Sequence, residues 1–137
     1  MYVERGLCAR VAAAEAAVTA LGVDLDVASL SDLELHDALV RSDRLQDRVA
    51  AVATVLAGEW EARRAFEDDG SKSAAARLAR ECGLDPAMAR RLFRRSRALR
   101  CLPLTSAAFA AGDLSVDRVD TLVRISVHAE LFAPDQG

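Results

Sequence analysis

The densest run of chemistry-bearing side chains lies at 90–100, where Arg90, Arg91, Arg94, Arg95, Arg97 and Arg100 crowd one short stretch. At roughly 100° per residue, Arg97, Arg90, Arg94 and Arg91 form one continuous arc of a helix. Met88, Leu99, Leu92, Ala89 and Phe93 occupy the opposite, apolar arc, with Arg95 at the edge of the basic face and Arg100 on the other flank. The planar guanidinium fork binds a phosphate, or guanine O6 and N7, through two parallel hydrogen bonds, so such a face suits a DNA major groove. The same face also fits plain solvation, or pairing with the chain's own acids, because cations near a helix C-terminus are favoured by the dipole.

The elements that must position this face are legible around it. From Ser73 the pattern predicts a short helix to Cys82, a turn at Gly83-Leu84, and a second helix capped by Asp85 with Pro86 in its first turn. A helix-turn-helix needs a small residue where the helices cross, a turn residue tolerant of positive φ, and apolar anchors on the second helix. Ala79, Gly83, Ala89 and Leu92 supply them. Ala-x-x-x-Gly occurs in many helical hairpins, so the pattern is only moderately specific. Lys72, Arg77 and Arg80 on the first helix then become candidate contacts to a nucleic-acid backbone.

Upstream, Leu7, Val11, Ala14, Val18 and Leu21 recur at helical spacing, and Gly22 ends that segment. Ser31 and Glu34 form a capping box that opens a long helix over 32–66, whose stripe is Leu45, Val49, Val52, Leu56 and Trp60. Gly58 inside it marks a close crossing or a bend. These two helices suggest an antiparallel hairpin, and their stripe serves equally as an intramolecular seam or a dimer seam. Downstream, Pro103 ends the basic helix and a short apolar helix follows over 105–111. Ser115 then caps an amphipathic helix bearing Val116, Val119, Leu122, Val123 and Val127.

With 28 Ala, 18 Leu and 17 Arg against 18 Val, Ile and Thr together, the chain is built for helices, and the fold class expected is all-α. A long helical hairpin would precede a helix-turn-helix-like bundle of shorter helices. Residues 1–70 carry 7 Arg and 14 acids, whereas 71–137 carry 11 Lys and Arg and 7 acids. The net charge of −3 therefore hides an acidic half, 1–70, joined to a basic half, 71–137, an asymmetry that points to an anionic partner. The longest uncharged run, 101–112, is too short for a membrane span and no signal segment opens the chain, so a cytoplasmic protein is expected.

Cys8, Cys82 and Cys101 are odd in number and widely spaced, and read as small buried hydrophobes rather than a disulfide framework or a zinc site. His36 and His128 complete no cluster. Paired carboxylates, nucleophilic triads and phosphate-binding glycine loops cannot be placed, so no catalytic residue, metal site or cofactor is expected in this chain.

The run from Asp69-Gly70 to Ile125, with Ala98-Leu99-Arg100-Cys101-Leu102-Pro103 and Ala110-Ala111-Gly112-Asp113-Leu114-Ser115-Val116-Asp117, resembles the domain of unknown function 222 family of high-GC bacteria. The likeness extends back through residues 31–66 and so covers most of the chain. In that family the region usually precedes an HNH nuclease domain. The resemblance implies a non-catalytic N-terminal module whose nuclease chemistry lies beyond Gly137. Ala79-x-x-x-Gly83 and Gly112-x-Leu114-Ser115 also look like the helix-turn-helix of ParB-type partition proteins, which would make 85–100 the recognition helix. Arg118 stands where those proteins usually carry a His, so no base contact is carried across.

Two functions follow as expectations. One is a DNA-docking module acting through Arg90, Arg91, Arg94 and Arg97, supported by Lys72, Arg77 and Arg80. The other is a helical dimerisation or protein-interaction module whose N-terminal helices, 7–66, mate with a second copy in a homodimer or with another domain of the same protein, without touching nucleic acid.

Overall fold

In the computed structural model the described residues run from Tyr2 to Phe132 and contain six α-helices and no strand, so the fold is all-α. The helices are α1 (Tyr2–Leu21), α2 (Asp32–Ala62), α3 (Ala74–Cys82), α4 (Pro86–Leu99), α5 (Pro103–Ala110) and α6 (Val116–Phe132). Among the described residues no helix is long and apolar enough to cross a membrane.

The chain forms two compact units, one ending at Leu39 and the other beginning at Val40, so α2 belongs to both. In the first unit none of the described side chains is buried, and Val11, Val18 and Leu21 of α1 are exposed. The capping box at the start of α2 is present: the Glu34 amide donates to Ser31 Oγ at 3.1 Å, and the Ser31 amide donates to Glu34 Oε1 at 3.3 Å.

The second unit is organised around α4, which contributes to two apolar clusters. Leu99 packs with Ala51, Phe109, Val119 and Val123. Phe93 packs with Ala57, Phe66 and Ala74, with Trp60 partly covered against them at 6.1 Å from both phenylalanine rings. The face of α2 that buries is Ala51, Thr54, Ala57 and Gly58. The stripe expected to pack stays outside, with Leu45, Val49, Val52 and Leu56 exposed and Trp60 half-buried. Small side chains win here because they let two backbones approach. A Cβ on Gly58 would lie 3.5 Å from Ser96 Cβ, and Arg100 Nη2 donates to the Gly58 carbonyl at 2.5 Å. Gly58 is thus the close crossing that its position suggested.

Local signals define the other boundaries. The helix expected over 32–66 ends at Ala62, because Arg64 takes left-handed φ (+55°) and leads into a 3-10 turn at Ala65–Asp69 that Gly70 closes at φ +84°. Asp47 of α2 accepts the first amide of α6, from Val116, at 3.0 Å, while Ser115 Oγ accepts the Arg118 amide. Pro103 opens α5 rather than only ending α4, as suits a residue without an amide proton in the first turn. The three cysteines are exposed, not buried. Cys82 closes α3 and Cys101 follows α4, and a helical wheel does not decide burial at helix ends.

Candidate nucleic-acid interface

The segment from Ser73 to Leu99 folds as helix, tight turn, helix. Ser73 Oγ accepts the Ala76 amide at 3.1 Å and starts α3. Gly83 takes φ +64°, which only glycine adopts without steric strain, and turns the chain so that the Leu84 amide reaches the Ala79 carbonyl at 2.9 Å. Asp85 Oδ1 accepts the Ala87 amide at 2.7 Å and Pro86 opens α4. Ala79 and Ala89 are buried as their spacing implied, whereas the expected anchor Leu92 is half-buried and its neighbour Phe93 is buried instead.

The predicted site residues separate into two groups. Arg90, Arg91 and Arg94 project from α4 into solvent, and among the described residues none of them makes an ion pair. Lys72 is likewise exposed just before α3. Arg97 is on the same face, but its Nε donates to Glu61 Oε1 at 3.0 Å while its side chain stays 59% exposed. Arg80 donates to Asp69 Oδ2 at 2.8 Å and to Ser71 Oγ at 3.0 Å.

Arg77 is committed elsewhere. Its guanidinium bonds Asp68 and Glu81 and the carbonyls of Ala65 and Phe66, and lies 5.6 Å over the Trp60 ring. The hydrogen bonds to Glu81 and Asp68 hold its pKa above the ordinary arginine value. Through Nε and Nη1 this guanidinium ties α3 to the 3-10 turn, and with its side chain only 16% exposed it offers little to a phosphate.

Sequence reasoning placed Arg95 at the edge of the basic face, and the structure buries it. Its Nε and Nη2 donate to the two carboxylate oxygens of Asp120 on α6 at 2.6 and 2.9 Å, and Thr54 Oγ1 lies 3.5 Å from Nη1. The bidentate pair fixes α4 against α6 and satisfies both charges. Met88, assigned to the apolar arc, is exposed in the first turn of α4. The residue that sequence reasoning missed is Arg124. It lies on α6, which reads as packing support, yet its side chain shares a cleft with Arg91 and Arg94.

Among the described residues no three His, Cys, Asp or Glu side chains come together as a metal site. His36 is exposed on α2, and the side chain of His128 lies outside the described residues.

What this geometry defines is an all-α domain in which α3, a tight turn and α4 follow one another and Arg90, Arg91 and Arg94 are exposed on α4. The sequence matches the family described as "Domain of unknown function (DUF222)" over residues 36–129, and the chain belongs to that family. The matched span takes in the second unit almost entirely. No curated protein and no solved structure matches the chain.

Proposed function

We propose that this chain is a non-catalytic nucleic-acid-docking module that places α4 on DNA and, in a longer protein, would position an HNH-type nuclease domain. One observation carries the reading. Acids outnumber Lys and Arg by 21 to 18, and several acids of the acidic half do pair with basic-half arginines, yet Arg90, Arg91 and Arg94 together make no ion pair with any described residue. Unpaired guanidiniums on one exposed helix face match a polyanion better than they match a role in stability. The nuclease connection rests on the family resemblance alone.

With Lys72 the predicted contacts left unpaired are four cations, which sets a slope of log K against log salt of about −3.6 on duplex DNA. The test is fluorescence anisotropy against random duplex DNA from low to physiological salt, comparing the native chain with the Arg90→Ala/Arg94→Ala/Arg97→Ala variant. Salt-steep binding that the variant loses supports docking. Equal affinity and slope in both proteins would sink it.

A second reading is favoured by the exposed stripe Leu45, Val49, Val52 and Leu56 on α2, which would be covered in a homodimer. Sedimentation equilibrium over a range of concentrations tests it, and a strict monomer would remove it. Both readings can hold for one protein.

A further inference from the structure

Between α4 and α6 lies a cleft of about 390 Å³ whose charged lining is Arg91, Arg94, Arg95, Arg124, Asp117 and Asp120. Its charges are unevenly balanced. Arg95 and Asp120 neutralise each other through two hydrogen bonds and form a fixed polar floor. That leaves three guanidiniums facing one further carboxylate, Asp117, in the first turn of α6, where the helix dipole favours it. Asp117 and Arg124 are two helical turns apart, roughly 10 Å along the axis, so the acid does not cancel the arginine. Arg124 Nη2 lies 3.5 Å from the Thr121 hydroxyl, itself part of the lining and donating to the Asp117 carbonyl at 2.9 Å.

We infer that this cleft is a phosphate-binding site in which Arg91 and Arg94 of α4 and Arg124 of α6 converge on one phosphate group, with Arg124 as a binding residue of its own. Two helices supply the donors, and the buried Arg95–Asp120 pair holds those helices in register. The backbones that carry the three arginines are therefore fixed before the ligand arrives, so binding has only the guanidinium side chains to order. Guanidiniums suit the tetrahedral oxyanion because each offers two parallel donors. The inference rests on the nucleic-acid reading for the source of the phosphate, a phosphodiester of a bound strand, but a free phosphorylated compound presents the same chemistry.

The experiment follows the arginine Nε–Hε signals of the 137-residue chain by NMR during titration with inorganic pyrophosphate and, separately, with random duplex DNA. Anisotropy runs beside it on Arg124→Gln and, outside the cleft, Arg90→Gln. Pyrophosphate should shift the Arg91, Arg94 and Arg124 signals and compete with the duplex. Arg124→Gln should weaken duplex binding ~3- to 10-fold and flatten the salt slope by about 0.9, as one lost phosphate contact requires. Arg124 is exposed, so the variant should keep its circular dichroism and leave the loss assignable to binding.

Unshifted Arg124 signals with both ligands, or Arg124→Gln binding both as the native chain does, would overturn the cleft. If Arg90→Gln alone loses DNA, the docking face stands and the cleft falls. If pyrophosphate fills the cleft while duplex DNA does not bind, the site stands for a free phosphorylated compound and the nucleic-acid reading falls.

Discussion

Arg77 and Arg80 on α3 and Arg90, Arg91 and Arg94 on α4 belong to one basic stretch of sequence, yet the two helices use them in opposite ways. On α3 the guanidiniums face the acidic turn that ends the preceding segment, and Asp68, Asp69 and Glu81 consume their donors. On α4, Arg90, Arg91 and Arg94 are exposed and make no ion pair with a described carboxylate. Residue type supplies a charge, and the elements packed beside it decide whether that charge is spent inside the fold or offered outside. Arg95 and Arg94, adjacent in sequence, show the same division within one helix: one is buried on Asp120 and the other is exposed.

The sharpest test of that division is at Arg95. Arg95→Ala leaves Asp120 unpaired in a partly buried site and should destabilise the fold by ~3–5 kcal/mol, measured by urea denaturation. Arg95→Met/Asp120→Leu should recover most of the loss, since removing both charges also removes the desolvation penalty. A double variant no more stable than the single one would mean that the pair itself, rather than the orphaned acid, carries the effect.

Next in size is Arg90→Gln/Arg91→Gln/Arg94→Gln. It should leave the urea midpoint unchanged and lower duplex affinity ~10- to 100-fold, with the salt slope falling by about 2.7. A loss of stability here would put these arginines in the same class as those on α3.

Arg77→Met should do the reverse, lowering the melting temperature less than Arg95→Ala while keeping the salt slope. A flatter slope for Arg77→Met would return it to the contact set. Arg80→Gln, at the exposed end of the same network, should fall within about 0.5 kcal/mol of the native chain.

The smallest effect expected is on pH dependence. The Ser71 hydroxyl, followed by the Ser71 amide and the charges of Arg77 and Arg80, holds the Asp69 carboxyl below its ordinary value of 3.8. Because the folded value lies below the unfolded one, the stabilisation is complete above pH 3.8 and is lost as pH falls through the depressed value. Following the Asp69 carboxyl carbon by NMR in native and Ser71→Ala proteins should show the titration moving up in the variant. An unmoved titration would assign the depression to the Ser71 amide and the two arginines instead.

What the sequence made legible in this fold was local. Ser31 with Glu34, Ser73, Gly83, Asp85-Pro86 and Ser115 act over two to four residues, and each does in the structure what its spacing implies. The exposed basic arc of α4 was legible for the same reason. Long-range partners were not: Arg95 finds Asp120 25 residues away, and Arg77 reaches back to Asp68 in the 3-10 turn at Ala65–Asp69. On α2, ranking by apolar size pointed to Leu45, Val49, Val52 and Leu56, whereas close backbone approach selected Ala51, Ala57 and Gly58. Arg124 was hidden because α6 shows its packing residues in the pattern, while its cleft exists only once α4 lies beside it.

The placement of α4 between two apolar clusters carries a consequence for exchange of backbone amides with solvent. Phe93 belongs to one cluster and Leu99 to the other, so opening either one exposes a side chain on a single continuous helix. Local openings that spare α4 are therefore few, and its interior amides should exchange only through global unfolding, with protection equal to the full stability of the second unit. Arg90, Arg91 and Arg94 should thus sit on a slowly exchanging helix, a rigid mount rather than a mobile arm.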